Sequence, residues 1–503
     1  MSMHNTEHSN EIQLDEIAKH DVEQLKTLHP TLKMKDRLAI PPQAMPELDP
    51  KYRATNMEEV ACGYSEAEAI IEANRCLDCK KPFCMDGCPV RINIPGFIKE
   101  VAQGNYDQAI HIIKETSLLP AICGRVCPQE RQCQKSCTVG KTLKDVNKAV
   151  AIGRLERFCA DYEREKGTIK VPAVKPATGK KVAVIGSGPA GLVVAADVRR
   201  EGHDVTIFEA FHKLGGVMRY GIPEFRLPKE IVDQEIKTLE AMGVHFKTDF
   251  IIGKSRKLQD LIDKDGFDAV FIGVGAGLPL FMGIEGENLV GVFAANEYLT
   301  RANLMRAYDL NNAHTPSWPA KKVAVLGGGN VAMDAARMAL RLGAESVKII
   351  YRRGMSELPA RAEEVHHAQE EGVEFCVLQN PSKILGDEKG RVRAMLVDRY
   401  ELGEPDEKGR PRPVKLEGQS FEMEVDTVLV AIGNGSNPLI SQTTPDLRVN
   451  RKGNIELDNP ETNLTSKAHV FAGGDIVLGA ATVILAMGEG RRAAAGINKL
   501  LAE

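Results

Sequence analysis

The sequence predicts an α/β fold in which two Rossmann-like dinucleotide-binding domains follow a small α-helical, cysteine-rich domain. Three observations carry this expectation. Two Gly-rich turns, Gly186-Ser-Gly188-Pro189-Ala190-Gly191 and Gly327-Gly-Gly329-Asn330-Val331-Ala332, each follow a short apolar run and open a helical pattern, which is the strand–turn–helix order of a nucleotide-binding unit. Eight of the eleven cysteines fall in two runs ahead of both turns, Cys76-x2-Cys79-x4-Cys84-x3-Cys88-Pro89 and Cys123-x3-Cys127-Pro128-x4-Cys133-x3-Cys137. A chain of 503 residues with 45 glycines and a single Trp has length for about three domains of roughly 150 residues, and suits an α/β protein rich in tight turns better than a bundle.

Composition excludes some partners. A formal charge of −4, from 65 Lys+Arg against 69 Asp+Glu, gives no basic field for nucleic acid, and no stretch of about 18 apolar residues offers a membrane span. The opening Met-Ser-Met-His-Asn-Thr-Glu has no basic region followed by an apolar one, so nothing marks the chain for export and a cytoplasmic location is expected.

Residues 1–55 are polar and interrupted by Pro30, Pro41, Pro42, Pro46 and Pro50, the pattern of an extended arm. A helical domain is expected over 56–170. Ser65-x-x-Glu68 is a capping box opening a helix just before Cys76, and the stretches Gly96 to Gln103 and Tyr106 to Lys114 separate the two cysteine runs. Gly167 to Gly179, with Pro172 and Pro176, is the linker out of it.

Thiolates are the ligands iron–sulfur clusters need, and a run closed by Cys-Pro resembles the bacterial ferredoxin pattern. Structural zinc pairs usually recur at x2 to x4 around a short knuckle, whereas the spacings here are x2, x4, x3 and x3, x5, x3. Disulfides rank last in a chain not marked for export. Two 4Fe–4S clusters are therefore expected on Cys76, Cys79, Cys84, Cys88, Cys123, Cys127, Cys133 and Cys137; isolated Cys62, Cys159 and Cys376 read as packing residues.

In the first nucleotide unit, the glycines allow a pyrophosphate to approach a helix N-terminus, and Glu209, closing the next strand, is placed to bond ribose hydroxyls. In the second, Tyr351 occupies the place of that acid and Arg352 and Arg353 follow. Losing the acid and gaining cations favours a 2′-phosphate, hence NADP(H) over NAD(H); a solvated arginine pair is the plainer reading. Arg361 is a weaker candidate for the same phosphate.

Near the end of the sequence, Val470-Phe-Ala-Gly473-Gly474-Asp475 is followed by Gly479-Ala-Ala481-Thr482 and a helical stretch from Val483 to Leu500. Here the chain resembles the two-dinucleotide-domain flavoprotein reductases. That resemblance implies a split FAD domain, 180–300 plus 426–503, with an NADP(H) domain inserted over 301–425. Its implied FAD contacts add Gly216, Val217, Gly474, Asp475, Ala481 and Thr482, its NADP contacts Ala431 and Gly433, and its crossover strands Val270 to Ala276 and Val428 to Gly433. No acid, base or nucleophile is required of a side chain, so no catalytic residue is assigned; Arg226 is a candidate cation beside the flavin, with an interdomain salt bridge as the alternative.

With the cysteine runs, Cys123-Gly-Arg-Val-Cys127-Pro-Gln and Gly221-Ile-Pro-Glu-Phe-Arg-Leu-Pro228, the chain from about Asn56 onward resembles the small-subunit family of NADPH-dependent glutamate synthase. The NADPH-binding large subunit of electron-bifurcating ferredoxin:NADP transhydrogenase, sulfide dehydrogenase and the N-terminal half of dihydropyrimidine dehydrogenase share this architecture. The N-terminal arm and Ala151 to Phe158 lean toward the transhydrogenase branch. The resemblance implies interleaved clusters, one on Cys76, Cys79, Cys84 and Cys137, the other on Cys88, Cys127 and Cys133, with its fourth ligand either Glu156 or Cys123. It also implies hydride transfer from NADPH C4 to FAD N5 and single-electron steps outward. The chain has no room for an FMN barrel or a glutaminase domain, so a partner is implied: the FMN-containing large subunit of glutamate synthase, or a smaller flavin/iron–sulfur subunit of a transhydrogenase, with ferredoxin a further candidate. A stand-alone reductase and a nonenzymatic scaffold are the competing readings, and the intact second fingerprint speaks against the scaffold.

Overall fold

The computed structural model describes residues 6–28, 32–407 and 409–502. The expected extended arm is a correction: Glu11–Leu28 is an α-helix. The prolines within the described part of the arm all fall at 41–50, which leaves 11–28 free of helix breakers, and Ala18 and Val22, four apart, bury against Ile71 of the helix Glu66–Asn74. Pro30 lies outside the described residues. Short helices, Met34–Ala39 and Pro50–Arg53, complete the segment.

The capping box forms as expected, with the Ser65 hydroxyl accepting from the Glu68 amide and the Glu68 carboxylate accepting from the Ser65 amide. The helices Ile94–Ala102, Tyr106–Lys114, Pro120–Val126 and Ile152–Glu165 build the rest of the domain. Its core does not stop at its border. Ile98, Leu119 and Ile122 belong to one apolar cluster with Val184, Leu192 and Met487 of the next domain, so the two are packed as one body by hydrophobic burial. The linker runs between them over the surface, pinned where Lys175 N–H donates to Arg200 O and Thr178 N–H to Gly202 O.

The first sheet has seven strands, ordered Leu457–Asn459, Leu464–Thr465, Val470–Ala472, Ala269–Ile272, Lys181–Ile185, Asp204–Phe208, His245–Lys247. Lys181–Ile185 is fully buried beyond its first residue, the continuous apolar run that a central parallel strand requires. Val470–Ala472 pairs in parallel with Ala269–Ile272, so the C-terminal segment does complete this sheet. The second sheet is parallel throughout, ordered Val292–Ala294, Thr427–Val430, Lys322–Leu326, Ser346–Tyr351, Glu374–Val377. Its strands at 292–294 and 427–430 fall outside the expected boundaries of 301 and 425; a three-residue strand that flows directly into the helix Ala295–Asn303 has too short an apolar run to announce a new sheet. The ladder Leu278–Pro279 against Asn434–Gly435 marks where the chain enters and leaves this unit.

A three-stranded antiparallel sheet, Gln379–Gly386, Val392–Pro405 and Pro411–Glu424, extends the inserted unit. Among the described residues no helix is long and apolar enough to cross a membrane.

Candidate functional site

The cysteines fall into two electrostatic neighbourhoods. In the outer one, burial pushes the Cys84 thiol up to about 12 and the Cys76 thiol up to about 11, with Cys137 and Cys79 adding repulsion on both and Cys76 on Cys84. The Cys79 thiol donates to the Thr138 hydroxyl at 3.3 Å. In the inner one, burial raises Cys88 to about 11 and Cys133 well above its ordinary value, and Cys127 and Glu156 repel charge on both. Thiols so suppressed become thiolate ligands only when a cationic core neutralises them.

Glu156 and Cys123 both lie in the inner neighbourhood. Glu156 is 6% exposed, its Oε1 has no hydrogen-bond partner, and burial alone pushes its carboxyl up to about 8. A buried carboxyl oxygen left without a partner is costly unless something cationic satisfies it. Cys123, fully buried, is held by a hydrogen bond with Cys127, which with burial raises its thiol well above the usual value, and its Sγ lies 3.4 Å from Met487 Sδ on the C-terminal helix. Among the described residues no three His, Cys, Asp or Glu side chains converge as ligands of a single metal ion.

Both glycine turns are built alike. Gly186 has φ +101 and Gly327 φ +137, and a Cβ on either would strike backbone of the adjoining crossover segment, Gly273 in one case and Ala431 in the other. The second glycines, Gly188 and Gly329, face open space, with no atom within 4 Å of where a Cβ would stand. Each caps its helix, Pro189–Arg200 or Asn330–Arg341, without a side chain, so unpaired helix N–H groups face the opening.

Around the first turn the structure gathers Glu209, Gly216, Val217, Gly474 and Asp475. Glu209 Oε2 accepts from Ser187 N at 3.0 Å and Ser187 Oγ at 2.6 Å, and Oε1 accepts from Phe211 N; the acid braces the turn itself. Ser187 Oγ also accepts from Gly215 N at 3.0 Å, fixing the approach to Gly216 and the helix Val217–Tyr220. Gly474, at φ +78, lets the chain pass against Ala190, and Asp475 Oδ1 accepts from Ala481 N, beside Thr482. Burial raises the Asp475 carboxyl to about 6. Sequence reasoning missed Ser187 and Tyr220; the Tyr220 hydroxyl, which burial pushes up to about 12, is influenced by both Asp475 and Glu209, and its place just before Gly221 was the available signal.

Around the second turn, Arg352 is exposed, and Arg353 Nε donates to Pro411 O of the hairpin at 3.0 Å. Asn330 Oδ1 accepts from Arg361 N at 2.8 Å; Val331 and Ala332 continue the helix, and Gly433, at φ +122, follows Ala431. Two expectations are corrected. Arg361 turns its guanidinium away from the turn, donating to Arg125 O at 2.6 Å and to Gln129 Oε1 at 3.2 Å in the helical domain. Arg226 is the interdomain salt bridge: Nη1 lies 2.6 and 2.7 Å from the two Asp334 oxygens and Nε 2.9 Å from Glu364. The guanidinium is thus paired with two carboxylates across the domain junction, the alternative the sequence offered.

Three comparisons bear on this geometry. The family profile described as dihydropyrimidine dehydrogenase domain II, 4Fe–4S cluster, matches residues 53–168, and that described as pyridine nucleotide-disulphide oxidoreductase matches 180–490. The chain is 37% identical over 455 residues to the NADPH glutamate synthase small chain of Escherichia coli strain K12, covering 90% of this chain and 95% of the relative. The chain belongs to the glutamate synthase small-chain family. Within this small-chain family architecture it is also 40% identical over 446 residues to the beta subunit of the NADP(+)-dependent formate dehydrogenase of Moorella thermoacetica, covering 84% of this chain and 60% of that one. FprA of Mycobacterium tuberculosis in complex with NADPH superimposes with a TM-score of 0.54 at 20% identity, over 65% of this chain and 85% of that one, a likeness of fold. The chain is thus an NADPH-linked oxidoreductase subunit of the kind that works with a partner, holding FAD, NADP(H) and 4Fe–4S clusters. Its residues fit those groups: two backbone cradles open where a pyrophosphate would lie, and two groups of buried or half-buried cysteines, the inner one beside the unpartnered Glu156 Oε1, offer a soft donor set.

Proposed function

We propose that this chain is the electron-input subunit of an NADPH-dependent glutamate synthase, taking NADPH at the second glycine turn and passing electrons to an FMN-containing large subunit. The observation that carries the reading is the helix Val483–Ala502, which touches both halves of the path. Its Gly490 packs against Ala190 O of the first glycine turn, its Gly488 against Pro89 next to Cys88, and Met487 against Cys123. Cys76, Cys79 and Cys84 lie farther out and half-buried. The order this supports is nucleotide turn, inner set, outer set, partner.

Bound FAD supplies the conversion of a hydride into single electrons. The side chains position and insulate. Arg352 and Arg353 receive the 2′-phosphate of NADPH, Ser187 and Glu209 keep the first turn in shape for a pyrophosphate, and Cys88, Cys127, Cys133 and Glu156 would hold the inner cluster, with Cys123 packed beside Met487. The anaerobically purified chain is expected to hold one FAD and about eight irons if two cubanes are present; bound zinc without acid-labile sulfide would refute the ligand assignment. Exchanging Arg352 and Arg353 together for Ala should weaken NADPH, but not NADH, by about 1.5–3 kcal/mol, the usual value of hydrogen bonds to a charged group, and an unchanged nucleotide preference in steady-state kinetics would remove both residues from the site. Isolation from the native host tests the partner: a large FMN subunit is expected, while a smaller flavin/iron–sulfur subunit would favour the transhydrogenase reading.

A further inference from the structure

The outer cysteine set is the stretch of the path nearest solvent, for three of its four members, Cys76, Cys79 and Cys84, are half-buried and Cys137 alone is buried, whereas Cys88, Cys127, Cys133 and Glu156 are all buried. The surface around it is basic. Lys80 and Lys81 follow Cys79 directly, Lys135 precedes Cys137 by two residues and Lys141 follows it by about one turn; all four are exposed, and among the described residues none makes an ion pair. Lys141 instead stands 5.0 Å from the centre of the Phe83 ring, a contact of the cation–π kind. Phe83, 50% exposed, begins the short helix Phe83–Asp86 that carries Cys84. Thr138, hydrogen-bonded to the Cys79 thiol, begins the helix Thr138–Thr142 that carries Lys141. The cations and the aromatic ring are therefore fixed to the segments that carry the cysteines. Of the acids beside them, Asp86 is paired with Arg91 at 3.1 Å and Asp78 remains, on a chain whose formal charge is −4 overall.

We propose that this face is the electron-exit dock, and that it receives an acidic protein surface whose carboxylates meet the four lysines around a pocket for Phe83. An exposed aromatic with one cation against its ring and three more exposed lysines on the segments that carry the cysteines suits an interface anchor with a polar rim, and opposite charge speeds encounter and orients the partner. The inference rests on the electron order given under Proposed function.

The test uses the full chain loaded with its cofactors, NADPH as donor, and two purified probe proteins: an acidic flavodoxin and the basic cytochrome c. The wild type should reduce flavodoxin faster at low salt than at high salt, and cytochrome c with the opposite trend. Lys80→Glu, Lys81→Glu and Lys141→Glu together should slow flavodoxin reduction about tenfold or more at low salt and speed that of cytochrome c, the differences fading toward about 1 M salt, where charges are screened within about 3 Å. Phe83→Ala should raise KM for flavodoxin with little change in kcat. Throughout, bleaching of the flavin by NADPH should be unaffected. Equal rates for wild type and charge-reversed chain, with normal flavin bleaching, would overturn the dock and leave the electron path standing; absent bleaching in the wild type would strike the functional reading itself. Should the triple variant fail to fold, a wild type whose rates with both probes ignore salt would overturn the dock equally.

Discussion

Cys84→Ala should leave NADPH able to bleach the flavin in a single turnover while abolishing electron delivery to the partner subunit. The asymmetry follows from where Cys84 stands. It belongs to the outer set with Cys76, Cys79 and Cys137, whereas the helix Val483–Ala502 meets the first glycine turn at Ala190 and the cysteine domain at Pro89 and Cys123, so losing Cys84 should cost one cluster, about four of about eight irons, and leave the nucleotide end intact. Acceptors that reach the flavin directly should still be reduced. Stopped-flow absorbance reports the first half-reaction and turnover with the partner the second. A folded, FAD-loaded variant with normal partner turnover would put the outer set off the path; one that no longer bleached would show that the two ends are not separable.

The second large effect lies at the domain junction. Arg226→Ala leaves Asp334, 3% exposed, without the Nη1 that bonds both its oxygens, and leaves Glu364 hydrogen-bonded to Arg337 only. Breaking a buried pair from one side costs about 3–5 kcal/mol, because the remaining charge stays desolvated. Next to it Phe225, fully buried, lies under two guanidinium groups, with Arg337 Cζ 4.7 Å and Arg341 Cζ 3.9 Å from the ring centre. Arg226→Ala should therefore lower the melting temperature and expose the inserted unit to proteolysis while FAD content holds, and adding Asp334→Leu should recover much of the loss. Unchanged stability with a shifted flavin potential would restore Arg226 to the flavin's side.

Residues whose role is set by chain neighbours were readable from the sequence. The two glycine turns, the cysteine runs and the Ser65 cap each need only a few adjacent positions to declare themselves, because their geometry is local. Arg226 and Arg361 were misjudged for the opposite reason: Asp334 and Gln129, their partners, come from other domains, and spacing along one segment says nothing about them. Glu209 was recognised, but its bond to Ser187 depends on a strand and a turn meeting. The helix Glu11–Leu28 was obscured by the prolines beyond it, and the strand Val292–Ala294 is too short to give a periodic signal.

The late position of Val470–Ala472 and Val483–Ala502 has a consequence for synthesis. The cysteine segments leave the ribosome early, and the glycine turn at 186–191 soon after, but the strand that flanks Ala269–Ile272 and the helix that covers both Ala190 and Cys123 are made some 280 residues later. At about 5–20 residues per second that is a wait on the order of tens of seconds. During it the inner cysteines have no lid and the first nucleotide cradle lacks a wall, so the nascent chain is open to metal delivery at one end before it can retain a flavin at the other, and premature termination before 470 should yield chains that take up iron yet lose FAD on a sizing column.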